Sequence, residues 1–334
     1  MRGRILLLWL AAMITCGMVG VGEVIAGEAE FIYALASEIE PPAIETAQTN
    51  TSHDEQESKL SRWLLLAGMI APLLFLLAKW HRLDRTPMRP MVAPPLVALV
   101  LALMVFVLGQ VGLHIAATLA GLTSEEELNQ AGLRSQAILM IGHYAGAASI
   151  LAVFFFLLRR TASGSASRQM PQIDAGLLGV GALLLFWPMV MLVSWIITTI
   201  VERITGAPLD AIAHSTLAQL QQADRDVWYM IVIAMVVIAA PVTEEVVYRG
   251  LLQDALRRAG IKPWAAIIIV SVIFAIMHLA AAPEPSAIPG LLASLFILSL
   301  GFGWAYEKTG RLFAPIVMHM LFNAGNLVAA TWLF

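Results

Sequence analysis

Residues 227–250 read VWYMIVIAMVVIAAPVTEEVVYRG. No charge interrupts Val227 to Thr243, and then Glu244 and Glu245 stand side by side ahead of Arg249. An apolar run of this kind reads as a bilayer-crossing helix, which needs roughly 20 predominantly apolar residues. Two acids at its end are costly unless they face protein or a water-filled cavity, so they are functional by default. Glu245 and Arg249 are spaced i,i+4 and can pair on one helix face. Glu244 projects about 100° away from Glu245 and is left for other work. The plainer reading is an ion pair at a cytoplasmic helix end, reinforced by Arg257 and Arg258.

The rest of the 334-residue chain agrees with a membrane setting. Only 13% of it is charged, against about 25% in an ordinary soluble domain. The mean hydropathy is +0.80. The single cysteine, Cys16, excludes a disulfide scaffold. A net charge of −3 gives no footprint for nucleic acid, and no nucleotide is implied. The class that remains is all-α, a multi-pass integral membrane helical bundle.

The N-terminus carries Arg2 and Arg4, an apolar run from Ile5 to about Gly22, and Val24 and Ala26 placed at −3 and −1 of a cut. This is the pattern of a secretory signal, residues 1–26, with an uncleaved anchor as the alternative. Residues 27–61 follow with eight acids and one lysine. They read as a flexible acidic segment outside the cytoplasm.

Eight spans are then expected, at 63–80, 91–115, 137–158, 175–201, 227–248, 263–282, 286–306 and 312–334. The loops 79–90, 159–174 and 249–262 are rich in Lys and Arg, while those around Glu125–Glu127, Asp224 and Glu284 are acidic. The positive-inside rule places the basic loops in the cytoplasm of a plasma or inner membrane. Residues 62–224 look like a four-helix scaffold, in which His114 and His143 are isolated and read as structural. The polar chemistry lies in residues 225–334.

Two further clusters accompany the acid pair there. Phe274-Ala275-Ile276-Met277-His278 lies on the span after a hinge at Gly260, with Pro263 suited to a first helical turn. Glu244 precedes Gly260 by 16 residues and His278 follows it by 18. At about 1.5 Å per residue both reach a depth of about 24–27 Å along antiparallel helices. The last cluster is His319-Met320-Leu321-Phe322-Asn323, with the His and Asn at i,i+4 on one face and Asn326 nearly on the same stripe.

Such a set can hydrolyse an acyl bond. A carboxylate held away from bulk water is a suitable general base. Glu244 would take a proton from a water oriented by His278, and His319 and Asn323 would donate to the oxyanion. A second arrangement uses Glu244, His278 and His319 as ligands of zinc or another divalent metal, with an open fourth position and the other Glu as base. The sequence does not choose between a metal and none. No His-Glu-x-x-His is present.

Glu-Glu-x-x-x-Arg, Phe-x-x-x-His and His-x-x-x-Asn, in this order in the last four spans, resemble the CPBP family. These are CAAX prenyl proteases and bacteriocin-processing or immunity-related membrane proteins, also called Abi. The stretch from Gly303 to His319 resembles the family's third-motif helix running into its fourth. The resemblance spans about residues 225–330. It implies an intramembrane endopeptidase acting on membrane-embedded or lipidated substrates. On it, Glu244 is the catalytic acid, His278 its water-activating partner, and His319 and Asn323 the oxyanion pair. Glu245, Arg249 and Phe274 fill structural or substrate-orienting positions. Two other functions remain open: a non-catalytic immunity or scaffold protein of the same fold, and a proton-coupled transporter. The lack of an internal repeat weighs against the transporter.

Overall fold

The computed structural model describes residues 51–83, 94–122, 132–159, 170–206, 223–282 and 285–332, with residues 124, 127, 216, 219 and 220. The expected signal, the acidic residues up to 50 and the Ser/Ala/Gly-rich loop 161–167 lie outside the described residues. Among the described residues the chain is helical and has no strand. Eight helices follow one another: α1 (Thr51–Leu77), α2 (Pro95–Leu119), α3 (Leu133–Arg159), α4 (Gln172–Thr205), α5 (Val227–Arg258), α6 (Pro263–Ile276), α7 (Ile288–Thr309) and α8 (Phe313–Trp332). The α1 helix already begins at Thr51, inside the stretch expected to be flexible.

Six of the expected spans are helices long and apolar enough to cross a membrane, those of α2, α3, α4, α5, α7 and α8. Their outward faces are apolar: Leu119 is 83% and Leu184 71% exposed. Only a lipid surround makes such a surface favourable. The chain is a multi-pass membrane protein.

The helix within the expected span 263–282 is shorter than the span. Its helix α6 has only 14 residues, about 21 Å at 1.5 Å per residue, less than the roughly 30 Å of hydrocarbon. The first expected span is also short as an apolar helix, Leu65–Leu77. The cause in α6 is local. The His278 amide bonds to the Ala275 carbonyl at 3.1 Å, one residue short of the helical repeat. The Phe274 carbonyl that it forgoes is taken at 2.7 Å by Nδ1 of the His278 ring. His278 thus caps its own helix. A 3-10 turn, Leu279–Ala281, and a second, Pro285–Ala287, lead into α7.

The hinge between α5 and α6 is as expected. α5 ends at Arg258, Gly260 takes φ +90°, and Pro263 opens α6. Within α5 the ladder changes twice, to π-helix at Met235–Ala239 and again at Val246–Gln253. Pro241 explains the first change, because it has no N–H to give.

α4 is the central support: α1, α7 and α8 all pack on it. Its contact with α8 is close. A Cβ added to Gly179 would lie 2.4 Å from the Ala314 carbonyl oxygen. Nearby, three successive carbonyls of the turn after α1 are each held from elsewhere. Trp80 accepts from Trp304 Nε1 (2.9 Å), His81 from Trp264 Nε1 (2.6 Å) and Arg82 from Lys308 Nζ (2.8 Å). The Met170 amide bonds to the Thr309 carbonyl at 3.2 Å. These bonds gather the turn after α1, the start of α4 and the α5–α6 and α7–α8 connections at one end.

Replacing Gly179 by Val should push α8 off α4 and lower stability by about 1–3 kcal/mol. Reversible SDS unfolding of the detergent-solubilised chain measures this. An unchanged midpoint would show that α8 is not seated so closely.

Candidate active site

The three polar clusters meet in one place. Glu245 and Arg249 are both 0% exposed and pair through Oε1 and Nη1 at 3.0 Å. The same Oε1 accepts from Nδ1 of His319 on α8, also at 3.0 Å. Arg249 reaches α7 through Nη2, which donates to the Ser299 hydroxyl at 2.6 Å and to the Ser299 carbonyl at 3.1 Å. Its guanidinium carbon lies 5.0 Å from the ring centres of both Phe274 and Phe302, within cation–π range. Removing the charge of one partner from such a site leaves the other unpaired, the costly case.

Glu244 faces a different direction, as the helical offset requires. Its Oε2 lies 3.7 Å from Nε2 of His278 and 4.0 Å from Nε2 of His319. Both separations exceed a direct hydrogen bond. This oxygen is buried and has no hydrogen-bond partner. The two imidazoles are arranged alike. Nδ1 is occupied in each, by the Phe274 carbonyl or by Glu245, and Nε2 points to the Glu244 oxygen. A carbonyl or carboxylate at Nδ1 places the proton there and leaves Nε2 for chemistry. His278 also rests on Phe274, ring centres 4.5 Å apart, and His319 on Phe302 at 4.6 Å.

Asn323 is near but differently engaged. Its Nδ2 donates to the Val236 carbonyl at 2.8 Å. That carbonyl is open because of the π-helical step. The Ala240 amide goes to Met235, and the next residue, Pro241, has no N–H. The amide of Asn323 therefore fills a gap in the α5 ladder, with its second hydrogen still to give. From outside this part of the chain, α3 packs against Ala240–Glu245. His143 is set apart, against Gly109 of α2.

Four contributors escaped the sequence reading: Ser299 and Phe302 on α7, and Gln253 with Glu307. Gln253 Nε2 donates to the Gly303 carbonyl and to Glu307 Oε1, both at 3.1 Å, and Arg257 lies 3.3 Å from the same oxygen. Residues 245, 249, 253 and 257 form one i,i+4 row opposite 299, 303 and 307. That regular spacing was the available signal. As for a metal, no three His, Cys, Asp or Glu side chains among the described residues are grouped so as to hold one.

Arg249→Ala should destabilise the chain by about 3–5 kcal/mol by stranding Glu245. Pairing Glu245→Gln with Arg249→Met should recover part of that loss. Both are read as SDS-unfolding midpoints, and a single variant as stable as wild type would contradict the buried pair.

Residues 226–325 match the family model for type II CAAX prenyl endopeptidase Rce1-like proteins. No curated protein and no solved structure matched the chain. The groups of α5, α6, α7 and α8 that meet around Glu244 and the Glu245–Arg249 pair all lie within the matched residues, and this part of the chain is similar to an Rce1-like domain.

Proposed function

We propose that the chain is an intramembrane endopeptidase that cleaves membrane-associated, lipidated CAAX-type peptides by means of activated water. The observation that carries this reading is the buried Glu244 Oε2, without a partner, facing Nε2 of two histidines at 3.7 and 4.0 Å. A water placed about 2.8 Å from both Glu244 and His278 would donate one hydrogen to each. Glu244 takes one proton as the water oxygen bonds to the peptide carbon. The carbonyl oxygen becomes an oxyanion. When its Nε2 carries a proton, His319 donates to that oxyanion, with Glu245 at Nδ1 as charge partner. The free amide hydrogen of Asn323 is the second donor. Glu244 then returns its proton to the leaving nitrogen as the C–N bond breaks. The scheme assigns its steps to water and these side chains alone.

The basic loops would face the cytoplasm of the cell membrane. Their convergence on one end of the bundle supports that orientation.

Cleavage of lipidated and unlipidated peptides in detergent tests the reading. Glu244→Gln and His278→Ala should each lose on the order of 10²–10⁴-fold in kcat. His319→Ala should lose about 10²–10³-fold, the value of an oxyanion donor. A chelator should leave the wild-type rate unchanged. Loss with chelator and return with Zn²⁺ would replace the water-only scheme by the metal arrangement. No cleavage of any peptide by wild type would favour a binding role for the same site.

A further inference from the structure

We infer that Ser299 and Phe302, one turn apart on α7, are the positioning element that fixes the His319 ring. This rests on the peptidase reading and adds two residues to it.

Among the contacts of His319, one hydrogen bond orients it, Nδ1 to Glu245 at 3.0 Å. A single bond leaves an aromatic ring free to turn about the N···O direction. Turning it would carry Nε2 away from Glu244. The missing constraint is a ring face. Phe302 lies against His319 with centres 4.6 Å apart and planes only 25° from parallel. It is 0% exposed, so it has no room to swing aside. Its backbone is held on both sides. A Cβ on Gly301 would lie 2.7 Å from Phe186 and Met318, and one on Gly303 would lie 2.9 Å from Gln253 and Ile267.

The other end of the constraint also begins on α7. Ser299 holds Arg249 at 2.6 Å, Arg249 holds Glu245 Oε1 at 3.0 Å, and that oxygen holds His319. The contacts close a ring, Ser299–Arg249–Glu245–His319–Phe302. It starts and ends on one helix turn. α7 supplies none of the reacting groups of the proposed scheme, yet it grips His319 from two sides.

The test pairs kinetics with a readout that does not need cleavage. Phe302→Leu keeps apolar bulk but removes the flat face. It should lower kcat by about 10–100-fold, in line with a small misplacement of a reacting group, with KM within about twofold. Phe302→Tyr restores the ring and should bring kcat back to within about threefold of wild type. Equal activity of Phe302→Leu and wild type, or equal loss in both variants, would overturn the inference. Full-length protein labelled with ¹⁵N-histidine gives the second readout. Wild-type His319 should show two distinct, sharp ring-nitrogen signals, as a ring held in one orientation does. Phe302→Leu and Ser299→Ala should each average or shift that pair. An unchanged pair in both variants overturns the positioning role. Should wild type cleave no peptide, the spectra still decide this inference separately from the peptidase reading. If Phe302→Leu does not fold, Ser299→Ala, which removes only a hydroxyl, carries the same spectral test.

Discussion

The buried Glu245–Arg249 pair is the constraint on which the site depends. Two charges withdrawn from solvent are tolerated only when nearly all their bonding capacity is met by protein. Glu245 meets Arg249 and His319 through one oxygen, while Arg249 needs Ser299 and the faces of Phe274 and Phe302. Those partners come from α6, α7 and α8. The ion pair therefore requires three other helices to be in register with α5. The two histidines are brought along because each leans on a phenylalanine of the same cage. Glu244, one residue away, is the group for which nothing was supplied. That contrast between an acid committed through one oxygen to an arginine and a histidine and one without such a bond is what makes the neighbouring carboxylates chemically different.

Much of this was legible in the sequence. The i,i+4 spacing of Glu245 and Arg249 survives even though the backbone there is π-helical, because adjacent turns still stack one over the other. Counting residues on either side of Gly260 put Glu244 and His278 at one depth, and their side chains do meet at 3.7 Å. Counting works because a helix has a fixed rise, whereas facing depends on rotation and packing that no count contains.

The failures have particular causes. The end of α6 at Ile276 could not be read from hydropathy, since Leu279 to Ala282 remain apolar. The ending comes from a side chain, His278, competing for a backbone acceptor. Phe302 and Ser299 sit in an apolar helix and look like filler until the long-range contacts at separation 50 are seen. The role of Asn323 at Val236 needs the ladder defect made by Pro241, five residues on, which only a three-dimensional reading of α5 exposes. Local pattern carries the elements and their order, while the cross-helix partnerships are non-local by nature.

The turn after α1 has a bearing on how such a chain is assembled. Lys79 is left-handed there, φ 56°, an uncommon conformation for a residue with a side chain. The three carbonyls that follow are claimed by Trp264, Trp304 and Lys308, 183, 224 and 226 residues from their acceptors. During synthesis from the N-terminus, α1 is made long before any of these donors exists. The carbonyls of its final turn must then bond to water or other partners until α6 and α7 arrive. α1 is thus an early helix with a late lock, and completion of α6 and α7 is what fastens the turn after it.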